Sequence, residues 1–354
     1  MDDRIRELVE QVPAWLRTTG EYPEIVLSSR ARLARNLRPF RFALKATDQD
    51  REEIRTFVLD RLRLHPRLAA LHQLELEGLG EAERRVLVER HLVTRDLLKH
   101  PDYALVLYEP DESVALLVNE EDHLRVQVLA NGLALSTVAR RILDLGEILG
   151  LLLPLAYREE FGYLTSCPTN TGLGLRFSVL MHLPGLVLAK RLPELVKLLA
   201  RARLSIRGLY GEGSDIVGNI FQISTTRNLG ITEEELLAHF QDTVRQIIQM
   251  EQEARQHLEQ ETPDLVEDRI HRARALLENA RLISFEETAR LVSALRLGVG
   301  LGRIFDVKLQ TLNELLFFAQ PGHLQVLFGH DMDPQERDRR RAAYIRTKLQ
   351  SGEA

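Results

Sequence analysis

In the stretch "VNEEDHLR", Val118 to Arg125, three carboxylates, a histidine and an arginine follow directly on a strand-like apolar run. Residues of these types can make a functional pair: Glu120 and Glu121 as acid and base, with Arg125 holding an anion. The commoner origin of an isolated charged cluster is a solvated turn, here between "SVALLV" and "LRVQVL". A second stretch, "TSCPTNTGLGLR", holds Cys167, the single cysteine of the chain, followed by spaced glycines and Arg176. A lone cysteine is by default a small buried residue, and it becomes reactive where a nearby cation or dipole stabilises its thiolate. The glycine spacing suggests a phosphate-cradling turn but matches neither the Walker A pattern nor the dinucleotide fingerprint.

Three further stretches carry charge at suggestive spacing. In "SSRARLARNL", Ser28 to Leu37, an extended backbone would point Arg30 and Arg32 to the same side, a guanidinium pair suited to a polyphosphate; the plainer reading is a basic helix start or a salt-bridged face. "GLYGEGSD", Gly208 to Asp215, is a glycine-flanked acidic loop after Arg207, either an ordinary surface loop or a closing loop that places Glu212. In "RDRRRA", Arg337 and Arg341 stand four residues apart, so a helix would bring both to one face; they hold an anion or simply meet solvent.

The elements that must position these residues fall into two regions. From Glu24 to about Ser224 the candidate strands "EIVLSS", "YALVLYE", "SVALLVN", "LRVQVLA", "LRFSVLMHL", "LSIRGLY" and "NIFQIST" are unevenly interleaved with helical windows, among them "DQDREEIRTFVLDRLRLH" and "STVARRILDLGEILGLLL". That pattern predicts an α+β unit with a largely antiparallel sheet flanked by helices. Thr232 with Glu235, and Ser284 with Glu287, have capping-box spacing, and beyond about residue 255 the chain reads as all-helical. The expected division is an N-terminal helical segment at 1–20, a mixed domain at 21–255 and a helical domain at 256–354. With 354 residues the chain is long enough for roughly two domains.

Composition narrows the function classes. A net charge of -5 gives no general reason to expect nucleic acid as a partner. One cysteine excludes an intrachain disulfide framework and a cysteine-rich zinc site, and fits a reducing, cytoplasmic setting. No run reaches the ~18 consecutive apolar residues of a membrane span. "ILGLLLPLA" is read instead as the end of a core helix, broken by Pro154.

Taken together, "SSRARLARN", "NEEDHLR", "CPTNTGLGLR" and Arg207 with "GEG" resemble, in order and separation, the signature segments of the phosphagen (guanidino) kinases, over about residues 20 to 250. Those enzymes carry a helical domain before the catalytic one. Here helices follow instead and "RDRRRA" matches an RDxxRA motif, an arrangement similar to the bacterial protein-arginine kinase branch.

The resemblance implies a glutamine synthetase-like catalytic fold, ATP and Mg2+ as cofactors, with the metal held mainly through ATP, and transfer of the γ-phosphate to a guanidinium. It implies a nucleotide site at Ser28, Ser29, Arg30, Ala31 and Arg32, at His91 and Arg125, along Arg176, Phe177, Ser178, Val179 and Leu180, and along Arg207, Gly208, Leu209, Tyr210, Gly211 and Glu212. Glu121 and Glu212 correspond to the guanidinium-gripping carboxylates, with Glu120 beside them, and Cys167 to the reactive cysteine. Arg337, Asp338 and Arg341 correspond to an allosteric phosphoarginine site. The chain has Thr171 and Leu173 where the family usually has Leu and Thr, and Tyr210 where related loops are often small.

Expected partners, again by resemblance, are protein substrates with exposed arginines, a zinc-binding activator, a heat-shock repressor, the Clp unfoldase and protease, and further copies of the chain. The alternatives are a kinase of free arginine or another small guanidine, and a non-catalytic phosphoarginine-binding adaptor.

Overall fold

The architecture was examined in a computed structural model, which describes residues 2–208 and 217–351. Eight strands form one sheet in the order β2-β3-β4-β5-β1-β8-β10-β9, all neighbours antiparallel. They are β1 (Val26–Arg35), β2 (His72–Glu75), β3 (Leu105–Tyr108), β4 (Val114–Val118), β5 (Leu124–Asn131), β8 (Leu175–His182), β9 (Leu204–Arg207) and β10 (Ile220–Thr225). A separate hairpin pairs β6 (Tyr157–Arg158) with β7 (Gly162–Tyr163). The antiparallel sheet flanked by helices agrees with the expected fold class. The first strand runs to Arg35, so "SSRARLAR" is extended and the helix-start reading of it is wrong.

Side chains alternate across each strand, so each face of the sheet has its own character. Ala31, Leu33, Val126, Val128, Phe177, Val179, Phe221 and Ile223 form one face, covered by the helices Leu135–Leu152 and Glu233–Glu261. The first of these helices buries Val138, Ile142, Leu145 and Leu149, spaced three or four apart, and ends just before Pro154. The second starts at a complete capping box, with Thr232 accepting from the Glu235 amide and Glu235 accepting from the Thr232 amide. Each fully buried Leu, Ile or Phe in this layer contributes about 1.5–3 kcal/mol.

The opposite face is divided. Near one end Leu27, Leu129, Leu180 and Ile220 pack against Trp15 and against Val292, Leu312 and Phe317 of the C-terminal helices. The rest of that face, around the middle of β1, borders an open cleft. After Glu233 the described chain is helical, in Glu233–Glu261, Pro263–Asn279, Phe285–Gly300, Leu309–Phe318, Pro321–Phe328 and Pro334–Ser351. The N-terminal helix Asp3–Glu10 buries Ile5, Leu8 and Val9 beside Leu74 and Val86, whereas Trp15 and Leu16 join the C-terminal core. No helix among the described residues is long and apolar enough to cross a membrane.

Candidate active site

The register of the sheet assembles a cationic face. On β1, Arg32 lies opposite Gln127 of β5 and Arg176 of β8, while Arg30 lies opposite Leu129 and Ser178. Arg125 sits two pairing steps beyond Arg32, opposite Ala34, and Arg207 pairs with Gln222 of β10. Because alternate residues share a face, Arg30, Arg32, Arg125, Arg176 and Arg207 converge on one cleft of about 560 Å3, also lined by His91, Thr94, Glu121 and Cys167.

The alternation divides the predicted nucleotide runs. Ser28, Ser178 and Leu180 share the face of Arg30 and line the neck of the cleft. Ala31, Phe177 and Val179 point into the helix-covered core, and Ser29 turns the same way, accepting from the Ala134 amide and donating to the Gly132 carbonyl. Gly208 follows directly on β9; Leu209, Tyr210, Gly211 and Glu212 lie outside the described residues.

Like charges gathered out of water shift one another. Burial, reinforced by Arg176 and Arg125, lowers the Arg30 guanidinium to about 10. Burial and the charges of Arg30, Arg125 and Arg176 carry Arg32 well below the usual arginine range. Arg30 is oriented by Gln222, whose Oε1 accepts from its Nη2 at 2.9 Å, and by the Ser178 hydroxyl at 3.3 Å. His91 is driven down to about 3 by burial and by Arg30 and Arg32, so its imidazole is neutral at physiological pH. A face of this kind suits a polyanion, whose charge would relieve the repulsion.

The acidic rim is built from the turn between β4 and β5, where adjacent carboxylates have separate surroundings. The Glu120 carboxylate is fully buried; it accepts from the Thr94 hydroxyl at 2.6 Å, from Arg125 Nη1, and from the Glu121 amide at 2.6 Å. Its place is to hold Arg125. Glu121 is 41% exposed at its side chain, touches Arg125 Nη2 at 3.2 Å and faces the cleft. Partial burial raises its pKa above the ordinary value, against the opposing pull of Arg125 and with Asp122 and Glu120 adding to the rise. His123 is buried and structural: its Nδ1 accepts from the Leu37 amide, and its Nε2 donates to the Arg41 carbonyl.

Two residues without a prior role fix the thiol to this rim. Asp122 Oδ1 accepts from the Ser166 amide and from Asn36 Nδ2, both at 2.6 Å, and Asn36 Oδ1 accepts from the His123 amide at 2.9 Å. The loop that follows is half-buried at Cys167, with Sγ 3.0 Å from the Thr169 hydroxyl. Its base is anchored by the Thr165 hydroxyl, which lies 2.7 Å from the Cys167 carbonyl and 3.0 Å from the Thr171 hydroxyl, so the threonine at 171 has a bonded place. Arg35 lies 3.4 Å from the Tyr163 ring centroid and donates to the Leu173 carbonyl at 3.0 Å. Gly172 has φ +116, and a Cβ there would lie 2.1 Å from the Asn228 carbonyl oxygen, so only glycine lets this loop close against the strand end.

Elsewhere, in the predicted C-terminal group, Arg341 bonds directly to Asp338 while Arg337 is held separately. Arg341 is buried, donating to the Ala319 carbonyl at 2.7 Å, to the Ile283 carbonyl at 2.9 Å and to Asp338 at 2.5 Å. Arg337 donates to the Met332 carbonyl at 2.8 Å. Among the described residues no group of three or more His, Cys, Asp or Glu side chains converges to hold a metal ion.

The family model of the ATP:guanido phosphotransferase C-terminal catalytic domain matches residues 54–254, and that of the protein-arginine kinase McsB C-terminal domain matches 263–354. The chain belongs to the protein-arginine kinase branch of the ATP:guanido phosphotransferase family. A protein-arginine kinase of Symbiobacterium thermophilum is 43% identical over 97% of this chain and 98% of its own length. One from Halothermothrix orenii is 40% identical over 95% and 96%.

Among solved structures, the duplicated taurocyamine kinase of Schistosoma mansoni with bound transition-state analogue components aligns with a TM-score of 0.62 at 25% identity, over 69% of this chain. The chain spans 35% of that duplicated protein. Lombricine kinase shares the fold, with a TM-score of 0.58 at 24% identity over 68% of this chain and 71% of its own. The catalytic fold is therefore that of the phosphagen kinases.

Proposed function

We propose that the chain transfers the γ-phosphate of ATP to the guanidinium of arginine side chains in proteins. The observation that carries this reading is the cleft itself, where five arginines of the sheet gather beside Glu121 and Cys167. On this reading Arg30, Arg32, Arg125, Arg176 and Arg207 hold the triphosphate, His91 borders the nucleotide, and Mg2+ is carried on the phosphate oxygens. The metal would supply charge neutralisation between the β- and γ-phosphates when bound.

A free guanidinium is protonated at neutral pH and is a poor nucleophile. Glu121, with Glu212 from the loop after β9, would grip its N–H groups, aim one nitrogen along the line of the breaking P–O bond and accept the proton released as the P–N bond forms. ADP leaves with the bridging oxygen. Cys167 lines the same cleft as Glu121 and would pack beside the same guanidinium. Most of the rate would come from alignment and fixed charge.

The same reading assigns residues 21–255 to catalysis and 256–354 to a regulatory unit whose Arg337, Asp338 and Arg341 bind phosphoarginine. The family supports a cytoplasmic role in the stress response, with a zinc-binding activator, a heat-shock repressor and the Clp unfoldase and protease as partners, and with self-association of the chain. The test is incubation of the purified chain with ATP, Mg2+ and an arginine-rich protein, in parallel with free arginine, followed by mass spectrometry under conditions that preserve the acid-labile P–N bond. Phosphoarginine on the protein is the expected result. Turnover only with free arginine, or with neither, would overturn it.

A further inference from the structure

His91 borders the nucleotide cleft from an unusual backbone position, φ 59, which a residue with a side chain seldom adopts unless its surroundings enforce it. The contacts around it come from the N-terminal segment, from the sheet and from the C-terminal helices. The His91 ring meets Phe317, the second-last residue of the helix Leu309–Phe318, edge-on at 5.9 Å, and meets Trp15 at 5.4 Å, while Trp15 and Phe317 meet each other at 5.0 Å. The His91 carbonyl accepts from Gln127 Nε2 at 2.6 Å, on the strand position opposite Arg32.

The two residues before it are held as firmly. Glu89 is buried, and its carboxylate accepts from the amides of Gly322 and His323 at 2.8 and 2.9 Å, at the start of the helix Pro321–Phe328. A carboxylate there satisfies otherwise unpaired amides and meets the positive end of the helix dipole. Arg90 is buried against Glu112, with Nε 2.9 and 3.1 Å from its two oxygens; its Nη1 lies 3.1 Å from His323 Nε2, and its Nη2 donates to the Gln11 carbonyl at 3.0 Å. Three consecutive residues therefore tie one wall of the cleft to the helices beyond residue 300.

We propose that Glu89, Arg90 and Phe317 are positioning residues for His91, so that the C-terminal helices are a structural part of the nucleotide site. This rests on the reading of His91 as a nucleotide-bordering residue. Through this clamp the helical unit acts on how tightly ATP is held, and phosphoryl transfer at Glu121, which the clamp does not touch, is left unchanged.

The test compares steady-state kinetics of the full chain with His91→Ala, Glu89→Gln, Phe317→Leu and the double variant Phe317→Leu/His91→Ala. Glu89→Gln and Phe317→Leu keep side-chain bulk, and a cooperative thermal melt confirms that each folds. Each single variant is expected to raise KM for ATP about three- to tenfold with kcat within about twofold, and the double variant to match His91→Ala, because positioning is redundant once the positioned group is gone. If His91→Ala raises KM but Glu89→Gln and Phe317→Leu do not, or if their effects multiply in the double variant, the clamp is overturned and the site reading stands. If His91→Ala leaves KM unchanged, the site reading of His91 fails and takes the clamp with it.

Discussion

Glu120 and Glu121 differ only in what surrounds them, and that difference decides their work. Glu120 takes three donors on its buried carboxylate and is absent from the cleft lining, whereas Glu121 has a salt-bridge contact with Arg125 and lines the cleft. Glu121→Gln should therefore lower kcat by about 100- to 10,000-fold, the usual range for removing a positioned acid–base group. It should do so with little change in KM for ATP. The Glu121 pKa is raised, chiefly by burial, so the carboxylate ionises at a higher pH than an ordinary glutamate. The acid limb of kcat/KM is accordingly expected above the ordinary value of 4.5, rising with pH as the proton leaves, and a pH–rate profile on acid-stable substrate protein measures it. Arg341 poses the opposite case, a charged residue whose bonds are already made within the protein. Arg341→Ala would strand the Ala319 and Ile283 carbonyls and Asp338, costing about 1–3 kcal/mol of folding stability. A loss of the proposed phosphoarginine response in that variant is therefore to be read beside its thermal melt, and Arg337→Ala, whose side chain donates to the Met332 carbonyl, is the cleaner probe of binding.

At the scale of the element, β1 concentrates the site: Arg30 and Arg32 line the cleft while Ala31 and Leu33 reach the core. Burial first, and then the charges of Arg176 and Arg125, lower Arg30 to about 10, so its charged form is held at a cost to the fold. Since the charged form is disfavoured in the folded state, Arg30→Met should raise the melting temperature of the nucleotide-free protein and abolish most of the further rise produced by Mg-ADP. A variant that melts lower without nucleotide and keeps the full Mg-ADP shift would contradict this. The same strand shows how far the sequence could be read. The apolar halves of β3, β4, β5, β8 and β10 announce themselves as alternating runs, but "SSRARLAR" carries arginines where an apolar pattern would mark a strand, so an extended and a helical reading were equally open. Two elements gave no signal: β2, "HQLE", is an edge strand with one buried residue, and the exposed hairpin of β6 and β7 has no apolar run. Within the site the arginines and Glu121 stood out by charge and motif order. Thr94, Gln127, Gln222 and Asn36 did not, because a neutral residue becomes functional only through a partner far away in the chain that folding supplies.

Across the whole molecule, the two regions that the sequence suggests are not independently buried. Leu27, Leu129, Leu180 and Ile220 belong to the sheet, yet they are covered by Trp15 and by the helices after residue 262. The Leu16 carbonyl accepts from Asn313 Nδ2 at 3.2 Å, and Arg296 Nη2 donates to the Pro23 carbonyl at 3.2 Å, so polar groups as well as apolar ones cross the boundary. A chain cut after Glu261 would present the uncovered end of the sheet to water, and at about 25 cal/mol per Å2 of apolar surface even a few hundred Å2 is comparable with the net stability of a domain. Calorimetry of the full chain should therefore show one transition in which catalytic and helical regions melt together. The 1–261 fragment should bind a hydrophobic dye and lose its sharp near-ultraviolet signal while keeping helical and sheet content. Two separated transitions in the full chain, or a fragment that melts cooperatively without binding dye, would mean that the shared core contributes little and that the helical unit is attached to the catalytic fold without completing it.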